Sequence, residues 1–309
     1  MKKVGFVSVW FYLILSVCVL FCPRAYAEGG LTKIADNVYS YVDVKGASPQ
    51  NSFGANAGII IGKNGIIVVD TLISTKEAKR FLEDIRKVSD RPIKYVINTH
   101  YHLDHSFGNS VFEEIGAVVI SHATDKMNLM ASGEGTLKNA KSYGLTEDDM
   151  AGTKIVYPAL SFTDRLQIDL GDQKVDVIYI GPSHTGGSIV VYLPDKKLLF
   201  AGDILFTGYH PFLAEGDLEG WIRTLDHIMN MDVATIIPGH GPVSVKKDVQ
   251  AMKDYLIAFD RRAKELGATS KDAEYIASEL KKTLPQRPEA DFLIKSNIEM
   301  KYLKDRAEK

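Results

Sequence analysis

Cysteine is nearly missing from this chain. It has two, Cys18 and Cys22, and both fall within the first 27 positions. The rest of the sequence can build neither a disulfide framework nor a thiolate metal site. Any metal it holds must be held by histidine and carboxylate. An excess of positive charge is also lacking: 37 lysines and arginines face 39 acidic residues, a net charge of −2 with histidine neutral. With no basic block, the chain offers no electrostatic grip on nucleic acid.

What is present begins with Met1-Lys2-Lys3, an apolar run from Val4 to Phe21, and then Arg24-Ala25-Tyr26-Ala27. A basic start, an apolar centre and an Ala-x-Ala end are the pattern of a secretory signal peptide. Cleavage after Ala27 is therefore expected, with export to the periplasm and no stable membrane anchor afterwards. The apolar run approaches a spanning length of ~20 residues, so an uncleaved anchor is the alternative. Residues 28–309 then form one unit, with a core over about 35–245 and helices over about 246–309. That is ample chain for a large α/β domain.

Histidine is scarce as well, with 8 in the chain, yet His100, His102 and His105 crowd into Thr99-His100-Tyr101-His102-Leu103-Asp104-His105. The stretch before them, Ile93 to Asn98, alternates and is rich in β-branched residues, so it predicts a buried strand. The cluster sits where that strand ends. His100 and His102, two apart in extended chain, point the same way. Asp104 and His105 follow a bend and can aim at a second point nearby. Imidazole and carboxylate are good ligands for zinc and similar ions, so this stretch can supply half of a two-metal site.

Strands are predicted at Asn37–Val44, Asn56–Ile61 and Ile66–Asp70, the last two joined by a tight turn at Lys63-Asn64-Gly65. Asp70 is a carboxylate at the end of an apolar strand. It either supports the ligand loop or caps the following turn. Ser74 and Glu77 open a helix to about Val88, with Phe81, Leu82 and Ile85 as its apolar stripe. Short helix, strand and helix follow at Val111–Ile115, Ala117–Ser121 and from His122, which reads as a helix-start residue rather than a ligand. Over 131–159 the pattern weakens, with Gly133, Gly135, Gly144 and Gly152 interrupting it. Either a loop over the site or irregular packing accounts for this stretch.

Four strands come next, Leu160–Asp164, Lys174–Ile180, Ser188–Leu193 and Lys197–Ala201, with turns at Gly171-Asp172 and Pro194-Asp195. His184 lies between strands, Asp203 follows Gly202 at a strand end, and His240 ends the short strand Ala234–Ile237 within Pro238-Gly239-His240-Gly241. His227 falls inside a helix over about 218–231 and is read as solvated or packed. The tail is helical, with Pro285 and Pro288 dividing its last two helices.

The candidate ligands thus all stand at strand ends, which one rim of a sheet brings together. His100-x-His102-x-Asp104-His105, then Gly-x-x-His184, Gly-Asp203 and Pro-Gly-His240-Gly resemble the metallo-β-lactamase fold superfamily, and Asp70 matches its earliest motif. The resemblance covers about residues 35–245. It implies an αββα sandwich, two mixed sheets face to face with helices outside. It also implies two zinc ions, in a ligand set that would accept iron or manganese. His100, His102 and His184 would hold one ion, Asp104, His105 and His240 the other, with Asp203 bridging and Asp70 supporting the ligand loop.

The function implied is metal-dependent hydrolysis, with metal-bound hydroxide attacking a β-lactam or other cyclic amide, an ester, a lactone or a thioester, and Asp104 orienting it and relaying its proton. The partner is a small-molecule substrate. Many β-lactamases of this kind carry Cys or Ser where this chain has Asp203, and a bridging aspartate is more typical of thioesterases and lactonases. A glutathione thioesterase is disfavoured, because Thr207-Gly208-Tyr209-His210-Pro211-Phe212 shows no basic trio. Tyr209 and His210 either line the pocket or pack against it. Export also fits the periplasmic metallohydrolases associated with quinoprotein dehydrogenases. The alternatives are an iron-dependent oxidoreductase of the persulfide dioxygenase kind and a non-catalytic metal-binding protein of the envelope.

Overall fold

The computed structural model describes residues 30–304, and the expected signal segment lies outside them. Among the described residues no helix is long and apolar enough to cross a membrane.

Two sheets organise the fold. The first has seven strands in chain order: β1 (Thr32–Ala35), β2 (Val38–Ser40), β3 (Gly58–Gly62), β4 (Gly65–Val69), β5 (Ile93–Ile97), β6 (Val118–His122) and β7 (Leu160–Phe162). The second has five, in the order β12-β11-β10-β9-β8, where β8 is Arg165–Asp169, β9 Lys174–Tyr179, β10 Ile189–Leu193, β11 Leu198–Phe206 and β12 Thr235–His240. Both are mixed. β4 to β7 run parallel, as do β11 and β12, while β1 to β4 and β8 to β11 pair antiparallel.

Alternation along the strands explains the layering, because successive side chains face opposite ways. Ile60, Ile67, Val69, Ile97 and Ile120 of the first sheet meet Val175, Val177, Ile189, Val191 and Phe200 of the second in one buried layer. Their neighbours Ile59, Ile61, Val68, Val96 and Val119 face outward onto Phe81, Ile85 and Phe112. These three come from α1 (Thr75–Val88) and, beyond the short helix α2 (Leu103–Ser106), from α3 (Asn109–Glu113). On the far side, Val190, Leu199 and Ile236 pack on Trp221, Leu225, Met252, Leu256 and Phe259. Those come from α5 (Leu218–Asn230) and α6 (Lys246–Thr269), which follow α4 (Ala123–Lys138). The layers are helix, sheet, sheet, helix, as the resemblance implies. The chain closes with α7 (Ala273–Thr283) and α8 (Phe292–Asn297), the latter continued by a wider turn over Ile298–Leu303.

Local signals act where they stand. The Ser74 side chain accepts from the Glu77 N–H and caps α1, a contact worth about 1 kcal/mol. Phe81 and Ile85 of its predicted stripe are fully buried. Lys63 and Asn64 form the two-residue turn between β3 and β4, with Gly62 opposite Gly65.

Four expectations are corrected. The strand predicted at Asn37–Val44 is only Val38–Ser40, because Asn37 takes φ +63° and turns the chain back onto β1. α4 runs through Gly133 and Gly135 to Lys138, since Leu129 and Ile155 pack closely where a side chain on Gly133 would sit. Arg165–Asp169 is a strand that the sequence reading passes over. Its apolar Leu166 and Ile168 alternate with charged and polar residues of an exposed sheet edge. Most consequentially, β11 does not stop at Ala201. It runs to Phe206, with irregular register against β12 around Gly202, where φ is +49°.

Candidate metal centre

The parallel strands place their C-terminal ends on one rim. Asp70 directly follows β4, and β5 leads through Asn98-Thr99 into His100. The chain then turns at His102 into α2, whose first turn carries Asp104 and His105. His184 comes from the loop between β9 and β10. There Thr185 donates its hydroxyl to the buried Asp125 carboxylate at 2.7 Å, and its N–H to Ser188 Oγ at 2.9 Å. Asp203 stands inside β11, beside the irregular register that turns its side chain to the rim. His240 closes β12.

Seven side chains converge there. One donor atom each from His100, His102, His184 and Asp203 lies within 4.8 Å of the others, and Asp104, His105 and His240 form a second such group. The two groups meet at Asp203. Its Oδ1 is 3.1 Å from His105 Nε2 and 3.4 Å from His240 Nε2, while its Oδ2 is 3.3 Å from His184 Nε2 and 3.7 Å from His100 Nε2.

Each imidazole is held from behind by its other nitrogen. His105 Nδ1 lies 2.9 Å from the Asp70 carboxylate, which also accepts from Thr99 N–H at 2.8 Å and Thr99 Oγ1–H at 2.7 Å. His184 Nδ1 rests on the Phe212 carbonyl at 3.1 Å, and His240 Nδ1 on that of Phe53 at 3.2 Å. His100 Nδ1 faces Thr99 Oγ1 at 3.2 Å. His102 is reversed. Its Nδ1 is the inner atom, 2.9 Å from His184 Nε2, and its Nε2 faces Glu215 Oε2 at 3.2 Å. Tyr101 hydroxyl donates to the same carboxylate oxygen. Partners of this kind fix which nitrogen is free to ligate.

The electrostatics divide the cluster. Burial, and next the charge of His105, hold His100 well below the ordinary imidazole value. Burial pushes His184 down to about 3. At His105 burial is outweighed by Asp203, Asp104 and Asp70, and its pKa rises well above the ordinary value. At His240 burial is outweighed by Asp203 and Asp104, which lift it to about 9. Asp203 is held well below the carboxylate range because His105 and His240 outweigh its burial. Glu215 is drawn down to about 2, where His102 outweighs burial. A buried carboxylate collecting this much positive charge is poised for a cation, whose binding displaces the imidazole protons.

The donor set fits a metal by a second observation. His100 Nε2 and Asp203 Oδ1 are buried and make no well-aligned hydrogen bond, although His105 Nε2 lies 3.1 Å from the latter. Such groups are rare, and a bound ion would account for them. Glycine makes room for this arrangement. A Cβ on Gly239 would stand 1.9 Å from Asp203 Oδ1. Gly239→Ala is therefore expected to displace that carboxylate, destabilise the fold by about 1–3 kcal/mol and lower metal content. Thermal melting with elemental analysis checks this.

All seven predicted ligands and Asp70 are thus brought together. His122 caps α4, accepting from the Thr124 N–H, and its ring stacks on Tyr179 at 4.0 Å. His227 is exposed on α5. Tyr209 is buried, its ring 5.5 Å from that of His240 and its hydroxyl bonded to the Val44 carbonyl. His210 points into the C-terminal helices, 2.6 Å from Tyr255 hydroxyl and 3.2 Å from Asp291. Of the two readings open for this pair, the structure gives packing rather than pocket lining. Glu215 escapes sequence reasoning, since a single glutamate in an irregular loop carries no pattern.

Comparison with known proteins agrees with this geometry. A family model described as the metallo-beta-lactamase superfamily matches residues 51–240. The chain is 27% identical over 225 residues to a linear primary-alkylsulfatase of Pseudomonas sp. (strain ATCC 19151), covering 62% of this chain and 42% of that protein. The chain therefore spans less than half of that relative's length. It is 23% identical over 244 residues to a metallo-beta-lactamase type 2 of Elizabethkingia meningoseptica, covering 77% and 88%. Among solved structures, a metallo-beta-lactamase from Pontibacter korlensis shares the fold with TM-score 0.60 and 21% identity, over 74% of this chain and 98% of that one.

Proposed function

The chain belongs to the metallo-β-lactamase superfamily, and on that premise we propose that it is an exported dinuclear zinc hydrolase. Its substrate is a small molecule with an electrophilic carbonyl: a β-lactam or other cyclic amide, an ester, a lactone or a thioester. The observation that carries this reading is the pair of complete donor groups joined by one carboxylate, Asp203. A one-iron oxidoreductase would need only one of them. Likeness to an alkylsulfatase adds sulfate esters to the substrates worth testing. Export rests on the N-terminal Lys2-Lys3, apolar run and Ala25-Tyr26-Ala27.

His100, His102 and His184 would hold one ion and Asp104, His105 and His240 the other, with Asp203 shared. Two divalent ions bound there would supply a water acidic enough to ionise near neutral pH and a Lewis acid for the substrate oxygen. The chain's own residues do the rest. Asp70, Glu215 and the carbonyls of Phe212 and Phe53 hold the rings in place. Asp104 has a side chain 11% exposed and lies 3.4 Å from His240, so it can take up and pass on the proton of an attacking water. His102, 14% exposed, is the most exposed imidazole of the cluster, flanked by the rings of Tyr101 and Phe212 at 4.7 and 5.8 Å. A substrate approaching on that side meets aromatic side chains.

The test is hydrolysis of a chromogenic β-lactam, an aryl ester, a thioester and an aryl sulfate by the protein as isolated, after chelation, and after zinc is restored. Turnover of at least one, lost on chelation and regained with zinc, is expected. Protein holding two metals per chain yet turning over none of them would contradict the reading. His102→Ala is expected to remove one metal and most turnover, and His227→Ala to change neither.

A further inference from the structure

The family model matches residues 51–240, so the helices after β12 lie beyond the residues it matches. They nevertheless reach the metal centre, through the loop that joins β11 to α5.

That loop holds two of the rings from behind. The Phe212 carbonyl takes His184 Nδ1 at 3.1 Å, and Glu215 takes His102 Nε2 at 3.2 Å. Asn297, the last residue of α8, is buried. Its Oδ1 accepts from Leu213 N–H at 2.6 Å and its Nδ2 donates to the Pro211 carbonyl at 2.9 Å. One side chain thus brackets Phe212 on both sides, using the acceptor and the donor of a single amide. Further along, Lys301 Nζ donates to the Gly216 carbonyl at 2.7 Å, one peptide beyond Glu215. Before the bracket, Arg287 Nη1 donates to the carbonyls of Phe206 at 2.8 Å and Tyr209 at 2.7 Å. The second group is held differently. His105 and His240 rest on Asp70 and the Phe53 carbonyl, both in the N-terminal half.

We propose that Asn297 is a positioning residue for the first metal group, acting through Phe212 on His184 and through the same loop on His102. The C-terminal helices are thereby part of the metal centre's framework, and the two hydrogen bonds of Asn297 act on the half that His184 and His102 supply. The proposal rests on the reading of the seven donors as a two-metal site.

The test is a competitive zinc titration of the full chain against a chromophoric chelator, with the visible spectrum of the cobalt-loaded protein as a second readout. Asn297→Ala is expected to weaken one of the two zinc affinities about tenfold, as loss of an outer support does, to leave the other unchanged, and to alter the cobalt spectrum. Leu280→Ala, a buried position of α7 that makes no hydrogen bond to the loop, is expected to lower thermal stability while keeping both affinities. If Asn297→Ala does not fold, Asn297→Asp, which keeps the acceptor for Leu213 N–H and loses the donor to the Pro211 carbonyl, is expected to show the same one-sided loss. Asn297 variants that lose only thermal stability, or lose both affinities equally, would overturn the proposal. A wild-type chain that binds no zinc would overturn the two-metal reading beneath it.

Discussion

Asp203→Ala is expected to lower turnover about 10³-fold, the scale on which a preorganised charge at a reacting centre acts, and to reduce the metal retained per chain. The carboxylate lies within 3.7 Å of four imidazole nitrogens, from both donor groups. Asp203→Asn keeps the shape and removes the charge, so its loss should approach that of the alanine variant if charge is what matters. Steady-state rates with metal analysis of both variants check this. A variant with two metals and wild-type turnover would detach Asp203 from the chemistry.

Asp70→Ala is expected to cost about 3–5 kcal/mol of folding stability, the usual result of breaking a buried charged pair. Asp70 accepts from Thr99 N–H, from Thr99 Oγ1–H and from His105 Nδ1, all inside the protein. Alanine leaves those donors without a partner and strains a backbone held at φ +61°. Asparagine tolerates that conformation and can still accept from Thr99. Asp70→Asn is therefore expected to fold and to lose about 10–100-fold in affinity at the His105 group alone. Urea denaturation of the first variant and zinc titration of the second give the two numbers. If Asp70→Asn weakened the His100 group instead, the support assigned to Asp70 would be wrong.

How far the sequence carries this account varies residue by residue. His100, His102, Asp104 and His105 are legible because ligand-type residues rarely crowd so densely, and because the strand before them fixes where they stand. His184 and His240 are legible through their glycine-rich strand ends. Asp70 shows as a carboxylate where an apolar strand should have none. Asp203 is legible as a ligand but not as to its place. The register change that lets β11 continue past it comes from Gly202, whose Cβ-free backbone sits against Thr99.

Glu215 and Asn297 leave no trace in the sequence. Each acts through a tertiary contact with a residue far away in the chain, which no local pattern reports. His210 misleads for the opposite reason. It follows β11 closely, yet Tyr255 and Asp291 of the C-terminal segment draw it away from the rim.

The most direct test of the central claim is the metal content of the purified protein, loaded with zinc, freed of excess and counted by elemental analysis. Two donor groups sharing one carboxylate predict two zinc ions per chain, falling to about one in His102→Ala. A wild-type chain that retains none, or a His102→Ala chain that retains as many as wild type, would contradict it.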